Sequence, residues 1–178
     1  MQNIQDEPYH VIGDLPAKNI DTGAGLERLA TVLQGVDSVF NTDELRAIIA
    51  AAETATKTTF DTGGRSDVSL RILSDHGRAV TFLIADKVVP SNEGRGYVLR
   101  RLLRRAVRHA VLLGAKDLIM PTVVEATIAT MGEAYPDLVD RRDAILEMAE
   151  REEGRFRRTH QVLKALAEDP ESDFFQLL

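Results

Sequence analysis

The chain has 178 residues, 44% hydrophobic and 28% charged, a balance that suits one globular domain, or one domain plus part of another. It holds no cysteine and no tryptophan, which removes disulfide scaffolds, Cys-based zinc sites, iron–sulfur clusters and thiol catalysis. The net charge is −6, from 22 basic and 28 acidic side chains, and taken alone that sum argues against a nucleic-acid binder.

The elements fall in a clear order. Tyr9–Ile12 and Lys18–Ile20 read as short extended pieces around a Gly13-Asp14-Leu15-Pro16 turn. Leu26, Leu29, Ala30 and Leu33 repeat at helical spacing up to Gly35, predicting an amphipathic helix with a glycine stop. Asn41-Thr42-Asp43-Glu44 has the spacing of a capping box and opens a helix to about Lys57, with Leu45, Ile48, Ile49 and Ala52 inward. A loop over Thr59–Arg65 precedes a long apolar helix capped by Ser66 or Asp67 and running to about Val88, before Pro90. The next helix follows Ser91-Asn92 and reaches Gly114. Pro121 opens another, to about Met131, and Pro136 opens the last and longest, through about Glu168. Asp169-Pro170 ends it, and Glu171–Leu178 reads as the start of one more. The fold class is therefore mainly α: a multihelical domain with a short β remnant at its N-terminus.

Within the last long helix, Glu147/Arg151 and Glu153/Arg157 stand at i, i+4 and read as a solvated face, since such pairs contribute only about 0.3–0.5 kcal/mol each. Ala149, Phe156 and Leu163 recur every seven residues, the mark of a packed seam. The N-terminus has no basic and apolar segment of a targeting signal, and no apolar run approaches a bilayer span. A soluble cytoplasmic protein is the expectation.

The average charge conceals a segregation. Gly94 to Lys116 carries Arg95, Arg100, Arg101, Arg104, Arg105, Arg108 and Lys116 with no acidic residue, a stretch of +7; the remainder holds 15 basic and 28 acidic side chains, or −13. On a helical wheel Leu99, Leu102, Leu103, Ala106, Ala110 and Leu113 form one stripe, and Arg100, Arg101, Arg104, Arg105 and Arg108 lie opposite. Guanidinium forks suit phosphate oxygens. The competing reading pairs these arginines with the acidic surplus elsewhere in the fold. Like charges at i, i+4 disfavour a free helix by a few tenths of a kcal/mol each, which favours a polyanionic partner. At the mouth of this helix, Asn92 and Arg95 have the chemistry of base-edge readers, while Ser91 or Asn92 is equally suited to be an N-cap.

Two further features carry possible chemistry. Asp21-Thr22-Gly23-Ala24-Gly25-Leu26-Glu27-Arg28 is a glycine-rich turn entering a helix, where free N–H groups favour an anion and Arg28 can reach a phosphate. It lacks the spacing of a dinucleotide fingerprint or a P-loop. His10, His76, His109 and His160 show no metal-ligand spacing. His109 is placed to contact phosphate or the helix end, and Asp75-His76 reads as a buried hydrogen-bonded pair rather than a catalytic dyad.

These residues carry a family resemblance. Asp21-Thr22-Gly23-Ala24-Gly25-Leu26-Glu27-Arg28-Leu29 resembles the third signature motif of the class II aminoacyl-tRNA synthetases in its alanyl form. Leu83-Ile84-Ala85-Asp86, Pro90-Ser91-Asn92, Arg95-Gly96-Tyr97-Val98-Leu99-Arg100-Arg101 and Arg104-Arg105-Ala106-Val107-Arg108-His109 are similar to the most characteristic stretch of the same family. The resemblance covers essentially the whole chain. It implies that residues 1–36 are the tail of the aminoacylation domain and residues 42–178 a helical domain for the tRNA acceptor stem, cut at its C-terminus. It implies that Asp21 and Gly23 bind alanine and that Gly25 and Arg28 bind ATP, used with Mg. Asn92 would read the G·U pair of tRNA(Ala), with Arg95, Arg100, Arg101, Arg104, Arg105 and Arg108 gripping the backbone. Zinc is not expected.

The parent would be an aminoacyl-tRNA ligase, and this stretch would be inactive alone, since the first two class II motifs and the editing domain are absent from it. A non-catalytic helical RNA-binding module, or a structural domain with internally paired arginines, are the alternatives. The chain departs from the family pattern at Gly77, where a bulkier residue is usual, and at Lys87, where glycine is usual. An aspartate that partners the asparagine in reading the wobble pair would lie just past Leu178.

Overall fold

The computed structural model describes residue 13, residues 16–17 and residues 21–168, with side chains to residue 161. Among the described residues there are seven α-helices and no strand. They are α1 (Leu26–Gln34), α2 (Asp43–Thr56), α3 (Arg65–Ala85), α4 (Gly94–Leu112), α5 (Met120–Met131), α6 (Pro136–Asp140) and α7 (Arg142–Glu168), with a 3-10 turn at Val39–Asn41. The extended pieces expected at 9–12 and 18–20, the stop at 169–170 and the helix expected from 171 lie outside the described residues.

α3 runs through the centre, with α2, α4 and α5 against it; α7 closes the bundle across α4 and α5. The apolar stripes read from the sequence supply the core. Ile48, Ile49 and Ala52 of α2 meet Leu70, Leu73 and Val80 of α3, Leu99, Leu103, Ala106 and Ala110 of α4, and Val123 and Val124 of α5. Burial of this apolar area is the main driving force for the bundle. Gly77 shows why one departure from the family pattern is tolerated: a Cβ there would stand 2.1 Å from Val123 Cγ1, so α3 and α5 approach more closely than a larger residue permits. No helix among the described residues is long and apolar enough to cross a membrane.

Several helix ends differ from expectation for identifiable reasons. α2 starts at Asp43 with Thr42 as N-cap, and no side chain of Thr42 caps it. The entry is held from α1 instead: Gln34 Nε2 donates to Asp43 Oδ1 at 2.8 Å, and Asp43 N donates to Gln34 Oε1 at 3.0 Å. α3 starts at Arg65. Asp67, 5% exposed, turns back to accept from Gly63 N at 2.9 Å and Thr62 N at 3.3 Å, tying down the preceding loop. The helix expected from Pro136 is two helices. Arg141 leaves the helical region with φ −107° and ψ 10°, and its guanidinium donates to the carbonyl of Ala85 at the end of α3.

The largest correction concerns α7. Glu153 is not on a solvated face: it is fully buried. Its carboxylate accepts from Met120 N at 2.8 Å and from Ile119 N at 3.0 Å. These are free amides at the start of α5, where a negative charge is favoured. Arg157 Nε donates to Glu153 Oε1 at 2.8 Å. The same guanidinium donates to Asp117 O at 2.7 Å and Ala115 O at 3.1 Å. One ion pair thus ties α7 to both ends of the α4–α5 connection. In the same helix, Glu147 and Arg151 are exposed, Ala149 is buried and Phe156 is half-buried; the side chain of Leu163 lies outside the described residues.

Leu26, Leu29, Val32 and Leu33 of α1 are 51–77% exposed, so its apolar stripe has no cover among the described residues. Two contacts tether it: the Gln34–Asp43 pair, and Arg78 Nη1 donating to Glu27 Oε1 at 2.6 Å. Glu27's carboxyl is held below its usual range by a backbone hydrogen bond and then by Arg78.

Glu153→Gln is expected to lower the unfolding free energy by about 3 kcal/mol, because it leaves Arg157 without its counter-charge in a buried place. Arg151→Gln, on the exposed side of the same helix, should stay within about 0.5 kcal/mol; urea denaturation measures both. Lys87 sits at φ +64° in a C-terminal motif, with Lys87 N bonded to Ile84 O and Val88 N to Leu83 O. Glycine adopts that conformation without the steric penalty of a Cβ, so Lys87→Gly should stabilise by roughly 1 kcal/mol in the same experiment.

Candidate nucleic-acid interface

The apolar stripe of α4 fixes which way its arginines point. Leu99, Leu103, Ala106, Val107 and Ala110 are buried against the core, so Arg101, Arg104, Arg105 and Arg108 are exposed on the opposite side, and Arg95 is exposed in the first turn. Among the described residues, none of these five forms an ion pair. The internally paired alternative therefore holds for Arg100 alone. Four like charges on one helix face, with Arg95 at its start, are a positive strip available to an anion, although Arg105 also feels the charge of Asp75.

Arg100 is turned inward. Its Nε lies 3.7 Å from Glu152 Oε2 on α7, its Nη2 donates to Pro90 O at 3.2 Å, and its Nη1 donates to Asn92 Oδ1. Asn92 is itself exposed. Neither Ser91 nor Asn92 is the N-cap of α4: that position belongs to Glu93, without a side-chain cap. Ser91 instead donates to Glu93 O at 2.7 Å, closing the loop ahead of the helix. This loop lies tight on the helix start. A Cβ on Gly96 would stand 2.2 Å from Val89 O and 2.4 Å from Ser91 Oγ, so glycine at 96 is what lets the Pro90–Asn92 segment sit there.

Two adjoining hollows mark this surface. One, of about 410 Å³, is lined by Asn92, Tyr97, Arg100, Arg101 and Arg104. The other, about 130 Å³, is lined by Arg100, Arg104, Glu152, Arg155, Phe156 and Thr159. Four of the seven sequence-named residues are brought together in the first. Arg95, Arg105 and Arg108 lie outside it. Tyr97 was missed in the sequence, although an aromatic residue three and four positions before Arg100 and Arg101 shares their face. It is 49% exposed, and its ring offers a base a stacking surface. Phe156 of α7 lies under Arg104, with the guanidinium carbon 5.8 Å from the ring centroid, a contact that holds the cation toward the groove. The seven-residue recurrence marks Phe156 as part of a packed seam but does not place it beside Arg104, and no local pattern points to Glu152, since both places depend on how α7 crosses α4.

His109 differs from the expectation of a phosphate contact. Its Nδ1 lies 3.0 Å from Ser69 Oγ. Burial, followed by the charges of Arg105 and Arg108, pushes its pKa below the ordinary 6.5, so it adds no positive charge to the strip near neutral pH. His76 Nδ1 bonds Asp75 Oδ2 at 2.8 Å, and the pair is half-buried, with His76 inward and Asp75 largely exposed. That hydrogen bond is the main reason the Asp75 carboxyl is held below its usual range.

The glycine-rich turn forms a separate place. Gly25, Glu27, Arg28, Val39, Phe40, Leu45, Asp75 and Arg78 line a hollow of about 320 Å³, which has no lining residue in common with those on α4. Arg28 is exposed and its stem lies over Gly25, 3.6 Å from where a Cβ would be. Arg28 forms no ion pair among the described residues, and a guanidinium at the start of a helix fits a phosphate group. Asp21 and Gly23 are exposed, and nothing lies within 4 Å of a Cβ on Gly23. The described residues contain no group of three potential metal ligands.

The model for the family "tRNA synthetases class II (A)" matches residues 1–169. An alanine–tRNA ligase of Thermoanaerobacter sp. (strain X514) is 50% identical over 145 residues, covering 82% of this chain and 16% of that protein. One from Parafrankia sp. (strain EAN1pec) is 52% identical over 151 residues, 85% of this chain and 17% of its own length. One from Corynebacterium glutamicum (strain R) is 46% identical over 158 residues, 89% and 18%. The chain thus spans about a sixth of the length of these relatives.

The lowered pKa of His109 has a consequence for stability. The unfolded chain takes up the proton at a higher pH than the folded one, so the contribution is complete above about pH 6.5 and is lost as the pH falls below it. Urea midpoints measured between pH 7 and pH 5 should drop on the acid side, and His109→Gln should flatten that drop.

Proposed function

The chain belongs to the class II (A) tRNA synthetases, and on that premise we propose that it is the part of an alanine–tRNA ligase that holds the acceptor stem of tRNA(Ala). The observation that carries the reading is the strip of exposed, unpaired arginines on α4 leading to Asn92. Phosphates lie along Arg95, Arg101, Arg104, Arg105 and Arg108, whose guanidinium forks bind them without reading sequence. Tyr97 offers its ring to a base. Asn92, at the end of the strip, meets a base edge and supplies discrimination, with the G·U wobble pair as its target. The acidic remainder of the chain repels RNA elsewhere and orients it on this face.

Residues 1–36 belong to the aminoacylation domain and residues 42–178 to the acceptor-stem domain. The uncovered apolar stripe of α1 supports that division, because it is the expected face of a helix whose partner is another part of a larger catalytic domain. In the whole enzyme Asp21 holds the amino group of alanine, Gly23 lines its pocket, and Arg28 beside Gly25 holds phosphate oxygens of ATP, bound with Mg. ATP supplies the activated phosphate that makes the alanine carboxyl an acyl donor toward the terminal adenosine of the tRNA. The helices α2–α7 carry acceptor-stem binding, and the chain by itself does not carry the transfer.

Titration of the chain with an acceptor-stem hairpin bearing G·U, at two salt concentrations, tests this. Affinity should fall steeply with salt, and Arg101→Ala should weaken binding and reduce the logarithmic salt slope by about one. Asn92→Ala should cost about tenfold on this hairpin with the slope unchanged. No binding at low salt would refute the assignment.

A further inference from the structure

Asn92 can read a base only if its carboxamide is held one way round, and the structure contains a device that holds it. The guanidinium of Arg100 has donors and no acceptor. The atom of Asn92 that it meets is therefore the oxygen, Oδ1, and the NH2 group is turned outward. Arg100 is in turn held at two other points. Its Nη2 donates to Pro90 O at 3.2 Å, on the loop that carries Asn92. Its Nε faces Glu152 Oε2 at 3.7 Å, an ion pair longer than a hydrogen bond, which leaves that Nε without a hydrogen-bond partner.

Glu152 is 8% exposed and belongs to α7, a helix that reaches this surface only through the tertiary fold. Its other oxygen accepts from Arg155 Nη1 at 2.9 Å. A carboxylate held between two guanidinium groups in a nearly buried place is a strong local anchor, since charge–charge attraction is screened less there than in water.

We propose that Glu152 of α7 is a positioning residue for base recognition: through Arg100 it fixes the Asn92 carboxamide with its NH2 outward, so that the site selects a hydrogen-bond acceptor on the base edge. The inference rests on the reading of Asn92 as the base reader. It reassigns Arg100, since a guanidinium committed at three points in the protein is not a phosphate grip like its exposed neighbours. It also states what the reader sees. An NH2 donor suits an acceptor on the minor-groove edge that an A-form stem leaves open, such as uracil O2 or guanine N3, and finds no partner in an exocyclic amine such as that of guanine. In a wobble pair uracil is displaced from the place that cytosine takes opposite guanine in a Watson–Crick pair, so an amide fixed in position and polarity is itself a source of selectivity.

The test is a double-mutant cycle on the G·U hairpin, combined with the Asn92 side-chain amide signals of the free chain in a 15N-resolved spectrum. Glu152→Gln keeps the size of the side chain and removes its charge. Arg100→Lys keeps the charge and removes the fork. Either substitution should shift the Asn92 amide pair toward the average values of a freely rotating side chain. Asn92→Ala, expected to lose about tenfold in the wild-type background, should lose less than threefold in the Glu152→Gln background. The salt slope should be unchanged by Glu152→Gln, which touches no phosphate-binding residue directly. Full tenfold losses in both backgrounds, with Asn92 signals indifferent to Glu152→Gln, would overturn the relay while leaving Asn92 as the reader. No loss from Asn92→Ala in the wild-type background would overturn both the base-reading role and the proposal built on it. A change in Asn92 signals that Arg100→Lys fails to reproduce would also overturn the route through Arg100. Urea midpoints of each variant separate these results from unfolding.

Discussion

Two adjacent carboxylates on α7, Glu152 and Glu153, tie that helix to α4 and to the start of α5. Glu153 is fully buried and binds the free amides of Ile119 and Met120. Its partner Arg157 reaches back to the carbonyls of Ala115 and Asp117. The connection between α4 and α5 is thereby held at both ends by one helix. A buried charge of this kind is tolerated only when paired and fully hydrogen-bonded, and here backbone groups and a guanidinium meet both requirements. Glu152, one residue earlier, projects to the other side of α4 and meets Arg100. The residues that hold the fold together and those that shape the basic surface of α4 are therefore neighbours in sequence.

That arrangement explains how a chain with a net charge of −6 presents a basic face. The acidic surplus is distributed over other surfaces or spent on internal ties such as Glu27–Arg78, Arg46–Glu53 and Glu125–Arg142. On α4 one arginine of the strip is tied down and the others are left to solvent. The like-charge repulsion along the helix is offset by the burial of its apolar side, in which Leu99, Leu103 and Ala106 are almost completely enclosed. On the proposed reading the strip binds polyanions and discrimination comes at its end, where one amide is held in a fixed sense.

The two departures from the family pattern have different physical meanings. Gly77 accompanies a close crossing of α3 and α5 at Val123, so the change is matched by local packing. Lys87 keeps the left-handed turn at the end of α3 that a glycine would adopt freely, so it carries strain that the surrounding Schellman bonds absorb. Both lie on the route from α3 to the loop that presents Asn92.

The helices, their inward stripes and the segregated charge of α4 were legible along the chain, because hydrophobic periodicity and the glycine stops at Gly35 and Gly114 act over a few residues. The glycine-rich turn that enters α1 was legible for the same reason. The sequence was misleading where a partner comes from far away. Glu153 and Arg157 look like an exposed i, i+4 pair, and only the crossing of α7 over the α4–α5 connection makes them buried. Arg100 looks like its neighbours on the wheel, yet Glu152, more than fifty positions later, draws it inward. The break at Arg141 depends on the Ala85 carbonyl, and Phe156 enters the site through the crossing of α7 over α4, whereas Tyr97 shares a face with Arg100 and Arg101 on α4 itself. Electrostatic and hydrogen-bond partners are chosen by distance in space, and for these residues that distance is set by the packing of the bundle and not by spacing along the chain.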